Sequence, residues 1–128
     1  MINGDGERTV EKVLLKDCKL NLNSFNEIIA LCVFGSDHEK NFNKDISDID
    51  IIILSKEDLD FEVECDIEDY LQNELSKHFS FDNLHFTFIS EFIYPFSEIF
   101  LISKDKIIIN KDQYLDYDLG YSVFKRNR

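Results

Sequence analysis

The sequence predicts a small α/β domain, of the α+β kind, in which helices pack against a mixed sheet of three to five strands. Short apolar runs alternate along it with longer segments whose apolar residues recur at helical spacing. The length of 128 residues is typical of one domain, and 44% hydrophobic and 13% aromatic residues are enough to form a core. The whole chain, 1–128, is therefore predicted to fold as a single domain.

The predicted strands are short apolar segments bounded by polar residues, at residues 28–34, 48–54, 84–89 and 106–110. The first is continuously apolar, which is typical of a buried strand. Helices are predicted where apolar residues recur every three or four positions, at residues 8–19, 66–78, 96–102 and 114–124. Residues 60–65 fit either a strand or the start of the second helix.

The charge and the cysteine content limit the classes of protein to which this chain can belong. Lys and Arg number 14 against 26 Asp and Glu, so the formal net charge is −12. This charge argues against nucleic acid as the main ligand, because phosphates would be repelled, whereas metal-bound phosphates and basic protein surfaces stay possible. The sequence has three cysteines without a Cys-x-x-Cys spacing, and it lacks both a leader in which an apolar run follows basic residues and an apolar run of about 20 residues. These features predict a cytoplasmic protein without a membrane span.

Two surface features have alternative interpretations. Acidic residues crowd the segment 57–69, which is ordinarily a solvated face and alternatively a docking surface for a basic partner. Four aromatic residues fall on one stripe of the last predicted helix: Tyr114, Tyr117, Tyr121 and Phe124. The stripe is expected to pack on the sheet, and the alternative is an exposed partner-binding surface.

The segment with the clearest chemical content runs from Gly35-Ser36 through eleven residues to Asp48-Ile49-Asp50. Alternate residues of a strand share a face and lie roughly 6.5–7 Å apart, so Asp48 and Asp50 would present two carboxylates together. Ionised acids within an Ile-rich strand need compensation, and Mg²⁺ is typically held by one or two carboxylates with phosphate oxygens and water. This arrangement predicts a metal-bound nucleotide.

Gly35 and Ser36 supply the second half of the arrangement. A glycine at a strand end lets the backbone approach a ligand closely, and a helix that begins at Ser36 would offer free N–H groups to phosphate oxygens. In the alternative interpretation, Gly35-Ser36 is an ordinary turn with a helix cap, and Asp48 is an acid at the solvent edge. The ordered combination of both halves favours metal-nucleotide chemistry.

Residues 32–54, CVFGSDHEKNFNKDISDIDIIIL, resemble the signature of the minimal nucleotidyltransferases in the DNA polymerase beta superfamily. The resemblance implies a polymerase beta palm-like fold in which Gly35 and Ser36 contact a nucleoside triphosphate. It also implies that Asp48 and Asp50 bind Mg²⁺, and Ser47 and Lys40 are assigned to the nucleotide site with them. That family includes antitoxins that add AMP to a helical toxin of the HEPN type, as well as small-molecule adenylyltransferases.

The sequence departs from the family pattern at two places. Asp37-His38-Glu39-Lys40 follows Gly-Ser where family members often have an Arg and a Gly, and Lys40 is the candidate substitute for the Arg. The third carboxylate that the family usually has on the next strand is absent from residues 84–89. His85 or Thr87 occupies its polar side, with Asp82 just upstream. His85 is the candidate base, and the alternative is that both residues only form the polar face of the strand.

The predicted function is Mg²⁺-dependent transfer of a nucleoside monophosphate, AMP from ATP, to an acceptor hydroxyl. Because one domain of 128 residues has little room to bind an acceptor, a basic helical partner such as a HEPN-type toxin is expected to supply it. The predicted catalytic residues are Asp48, Asp50 and His85. The alternative is a protein that keeps the fold without catalysis and acts by binding its partner.

Overall fold

The computed structural model describes residues 13–34 and 49–127. Within these residues a mixed sheet of four strands forms the centre of the molecule: β1 (Ile28–Phe34), β2 (Ile49–Ser55), β3 (Leu84–Ile89) and β4 (Lys106–Ile108). The strand order is β3-β2-β1-β4. β1 is antiparallel to both β2 and β4, whereas β2 and β3 are parallel. The predicted mixed sheet is confirmed.

Helices cover both faces of this sheet. They are α1 (Phe61–Phe79), α2 (Phe96–Ile102) and α3 (Lys111–Arg126), and a 3-10 turn spans Leu15–Asp17. α1 ends at Ser80, which adopts a left-handed conformation with φ 54°. α3 begins after Asn110, whose side chain accepts a hydrogen bond from the backbone N–H of Gln113 and so caps the helix. None of the helices in the described residues is long and apolar enough to cross a membrane.

The alternation of side chains along β2 divides the core into two layers. Ile51 and Ile53 face α1, where they pack with buried aliphatic residues that include Leu71. Ile52 and Leu54 point to the opposite face, where they pack with residues of α2 and α3. Apolar side chains fill both layers because β1 and β2, the two central strands, are apolar on each side.

Three predicted helices differ from the structure. Residues 13–19 of the first contain only the 3-10 turn, because the backbone N–H groups of Leu15 and Lys16 bind the Asp105 carboxylate; residues 8–12 lie outside the described residues. The second begins at Phe61, so residues 61–65 are helical. The last begins at Lys111 instead of residue 114 because Asn110 caps it.

Two predicted strands also differ at their ends. The second, predicted at 48–54, is observed at Ile49–Ser55, and residue 48 lies outside the described residues. The fourth ends at Ile108 instead of residue 110, because the N–H groups of Ile109 and Asn110 both turn to the carbonyl of Ile29. The first and third strands and the helix at residues 96–102 match the prediction.

The aromatic stripe of α3 packs inward. Tyr114, Tyr117 and Tyr121 are buried, and the Phe124 ring stacks near Phe92 and Tyr121. The prediction that the stripe packs against the rest of the domain is confirmed, and its alternative as an exposed partner-binding surface is wrong.

Candidate functional site

The parallel pairing of β2 with β3 brings Asp50 and His85 together. The two residues are register partners, and Nδ1 of His85 lies 3.5 Å from Oδ1 of Asp50. The Asp50 side chain is 27% exposed and the His85 side chain 66% exposed, so both contribute to the surface of the domain. This pair is the structural basis of the candidate site.

Asp50 lies at this position because of the alternation along β2. Its neighbours Ile49 and Ile51 are buried against α1, so Asp50 points to the other face, at the end of the strand where the apolar layer stops. Across the sheet it pairs with Phe34, the last residue of β1. The strand ends that flank residues 35–48 therefore meet beside His85.

The register of β3 decides which of its polar residues stands beside Asp50. His85 pairs with Asp50, whereas Thr87 pairs with Ile52, further along the strand. Asp82 precedes β3 and is exposed, and its backbone carbonyl accepts a hydrogen bond from Gln72 of α1. Among the residues that the sequence offers for the third position, the structure places His85 next to Asp50.

Glu68 of α1 is a nearby acid that the sequence did not single out. Partial burial raises the pKa of its carboxyl group, Glu64 and Asp69 raise it further, and His85 acts in the opposite direction. Its place in the acidic segment, one helical turn after Glu64, was the available signal. Within the described residues the surroundings of His85 are thus negatively charged, so an anionic ligand there would be accompanied by a cation.

All four residues predicted to contact the nucleotide lie outside the described residues: Gly35, Ser36, Lys40 and Ser47. The predicted metal ligand Asp48 lies outside them as well. Their roles stay predictions, and of the predicted catalytic residues only Asp50 and His85 have a described position.

The side chains of the candidate site can be compared with the ligands that Mg²⁺ prefers. In the described part of the chain, no group of three or more His, Cys, Asp or Glu residues could hold a metal ion. A carboxylate such as that of Asp50 is a hard oxygen ligand that suits Mg²⁺, whereas the nitrogen of His85 suits it less well. Asp50 therefore fits as one ligand, and Asp48 is the predicted second.

Cys32 lies on the same face of the sheet, on β1, but is unsuited to nucleophilic catalysis. The residue is fully buried, and burial raises the pKa of its thiol to about 12. The thiol is consequently protonated at neutral pH, so it is not a nucleophile there.

A family model described as "Polymerase beta, Nucleotidyltransferase" matches residues 16–114. The chain belongs to this family. The match begins in the 3-10 turn, covers all four strands with α1 and α2, and ends in the first turn of α3. Neither the curated proteins nor the solved structures yielded a significant match. The polymerase beta resemblance and the nucleotidyltransferase fold are thereby confirmed at the level of the superfamily.

Proposed function

We propose that this nucleotidyltransferase-family domain transfers AMP from ATP to an acceptor hydroxyl group in the presence of Mg²⁺. The observation that carries the proposal is the Asp50–His85 pair, which stands at the meeting point of β1, β2 and β3 in a chain of this family. The pair combines an oxygen ligand for a cation with a group able to accept a proton.

Asp50, together with Asp48, would hold the Mg²⁺ ion, which when bound neutralises charge on the triphosphate and on the leaving pyrophosphate. The acidic residues around the site support the proposal that a cation accompanies the triphosphate. Glu68 lies near His85 and Glu64 near Glu68, so a triphosphate without a cation would be repelled. Gly35, Ser36, Lys40 and Ser47 are proposed to contact the nucleotide.

His85 is proposed as the general base. Its Nδ1 faces the Asp50 carboxylate, which only accepts hydrogen bonds when ionised, so the ring proton is favoured on Nδ1 and Nε2 is left as the acceptor. The acceptor oxygen attacks the α-phosphorus and gives its proton to Nε2. The bond from the α-phosphorus to its bridging oxygen breaks, and pyrophosphate leaves.

A partner protein is proposed to supply the acceptor hydroxyl, and the resemblance to antitoxins suggests a basic, helical toxin of the HEPN type. The charge of the surface supports a basic partner. Most acids of the segment 57–69 are exposed along α1 and the loop before it, and the chain carries a net charge of −12. Such a field accelerates the encounter with a positively charged protein.

A second candidate function is neutralisation of the partner by binding alone. It is favoured by the register of β3, which places His85 beside Asp50 while residues 84–89 include no carboxylate. In this alternative the domain binds its partner equally well with or without a nucleotide.

The deciding experiment is to purify the protein from its native host with any bound partner and to incubate the complex with Mg²⁺ and each NTP. The intact mass of the partner should increase by one AMP with ATP and stay constant without Mg²⁺. A stable complex whose mass never changes with any NTP would contradict the enzyme and support the binding protein.

Replacement of one carboxylate tests the proposed metal ligand. Asp50→Asn should weaken Mg²⁺-dependent ATP binding at least about tenfold, because an amide oxygen carries no charge to hold the ion. Titration calorimetry measures the change, and circular dichroism should show an unchanged fold. Asp118→Asn, on the exposed side of α3, is the matched control and should bind ATP normally. Equal affinity of Asp50→Asn and the parent protein would contradict the assignment.

The residue beside Asp50 can be tested by adding the carboxylate that the family usually has. His85→Asp keeps a proton acceptor beside Asp50 and adds the absent carboxylate, so it should increase AMP transfer, whereas Thr87→Asp should not, since Thr87 pairs with Ile52. A larger gain in AMP transfer for Thr87→Asp than for His85→Asp would show that β3 pairs with β2 in a different register.

A further inference from the structure

The outer face of α3 carries an apolar stripe that the described residues leave exposed. Leu115, Leu119 and Val123 recur every four residues, and their side chains are 46%, 68% and 47% exposed. The opposite side of the same helix holds the buried tyrosines, so α3 is apolar on two sides. A helix that packs on its own domain with one side needs only that side to be apolar.

Apart from Lys111, the first residue of the helix, the charges along this outer face are separated by sign. Asp112 and Asp116 lie in the N-terminal half of α3, and Arg126 lies in its last turn; all three are exposed. The charge distribution of such a helix is complementary to that of a second copy that runs in the opposite direction. It is not complementary to a parallel copy, which would place Asp112 against Asp112.

We propose that α3 pairs antiparallel with α3 of a second copy of this chain, with the two-fold axis at Leu119. Residues equally distant from position 119 then meet: Leu115 faces Val123 of the second copy, and Asp112 faces Arg126 of the second copy. Leu119 contacts its own counterpart on the axis. Because the interface is isologous, each contact occurs twice.

The expected dimer is weak. One helix face is small compared with the roughly 1,200–2,000 Å² that stable interfaces bury, and two chains of charge −12 repel each other. The two Asp112–Arg126 contacts fix direction and register more than they add affinity. This inference does not depend on the proposed nucleotidyl transfer, because α3 presents the stripe on the side away from the sheet.

Sedimentation equilibrium of the purified protein over a range of concentrations tests the dimer. The weight-average mass should rise with concentration for the parent protein, and Leu119→Ser should weaken the association at least tenfold. Phe61→Ser is the matched control, since Phe61 is 81% exposed on α1 and its loss should leave the association unchanged. A parent protein that stays monomeric overturns the proposal and leaves the stripe for a different protein. A dimer that is insensitive to Leu119→Ser also overturns it.

A mixing experiment tests the antiparallel register. Asp112→Lys and Arg126→Asp should each abolish self-association, because each homodimer would carry two pairs of like charges. Mixed in equal amounts, the two variants should associate again, since both contacts between positions 112 and 126 then join opposite charges. Failure of the mixture to associate, while circular dichroism shows both variants folded, overturns the proposed register.

Discussion

The two faces of the sheet are built differently. The face under α1 is aliphatic at its centre: Ile51, Ile53, Ile67 and Leu71 are fully buried and have no polar side-chain atoms. The face under α2 and α3 mixes apolar residues with directed hydrogen bonds. It is also the face on which Asp50 lies.

The hydrogen bonds of the second face connect α3 to α2 and to the segment that precedes α2. The hydroxyl of Ser97 lies 2.7 Å from that of Tyr117, and the Tyr117 hydroxyl also donates to the carbonyl of Glu91. Burial raises the pKa of the Tyr117 hydroxyl, which keeps it protonated and able to donate. Next to this group, Lys106 donates to the carbonyls at the end of α2 and to the hydroxyl of Tyr114.

This difference gives the two faces different roles in the fold. Packing of aliphatic side chains is non-directional and depends on area, so the α1 face stabilises the fold without setting the position of any polar atom. Hydrogen bonds specify distances and angles, so the α2 and α3 face can hold polar groups in place beside the sheet. Substitutions on the first face should therefore cost more free energy than those on the second.

The largest effect is expected from the aliphatic face. Leu71→Ala should lower the free energy of unfolding by about 3 kcal/mol, because it removes a fully buried side chain and leaves a cavity. Leu119→Ala, at a leucine that is 68% exposed on α3, should change it by less than about 0.5 kcal/mol. Urea denaturation of both variants measures the contrast. Similar losses for the two would contradict the described burial.

An intermediate effect is expected from the hydrogen-bonded face. Tyr117→Phe should lower the free energy of unfolding by about 1 kcal/mol, since it removes one buried hydroxyl and its bonds to Ser97 and Glu91. Ser97→Ala supplies the second arm of a double-mutant cycle. A coupling energy near zero between the two positions would show that this contact does not stabilise the protein.

The smallest effect is expected at Glu68, and it should depend on pH. Its pKa is raised in the folded protein, so the charged carboxylate disfavours folding at neutral pH. Glu68→Gln should increase the free energy of unfolding at pH 7 by about 0.5 kcal/mol or less, since the group is partly exposed and screened. The gain should disappear as the pH falls below the ordinary glutamate pKa of 4.5, where the carboxyl is neutral in both states. A gain that persists in acid would contradict this electrostatic origin.

Local patterns in the sequence determined much of the fold. The apolar runs located the first and third strands at their observed bounds, and the alternation in the second strand predicted that Asp50 would oppose Ile49 and Ile51. The motif from Gly35-Ser36 to Asp50 was sufficient to indicate the superfamily that the family model confirms. These features depend on residues that are neighbours in the chain, so periodicity and spacing encode them directly.

Contacts between distant segments decided the rest. The sequence left His85 and Thr87 open for the position beside Asp50, and only the register of β3 against β2 selects His85. The 3-10 turn at Leu15 depends on the Asp105 carboxylate, 90 positions away along the chain. The pairing of strands and the docking of loops are set by which elements pack together, and that information is not contained in any local pattern.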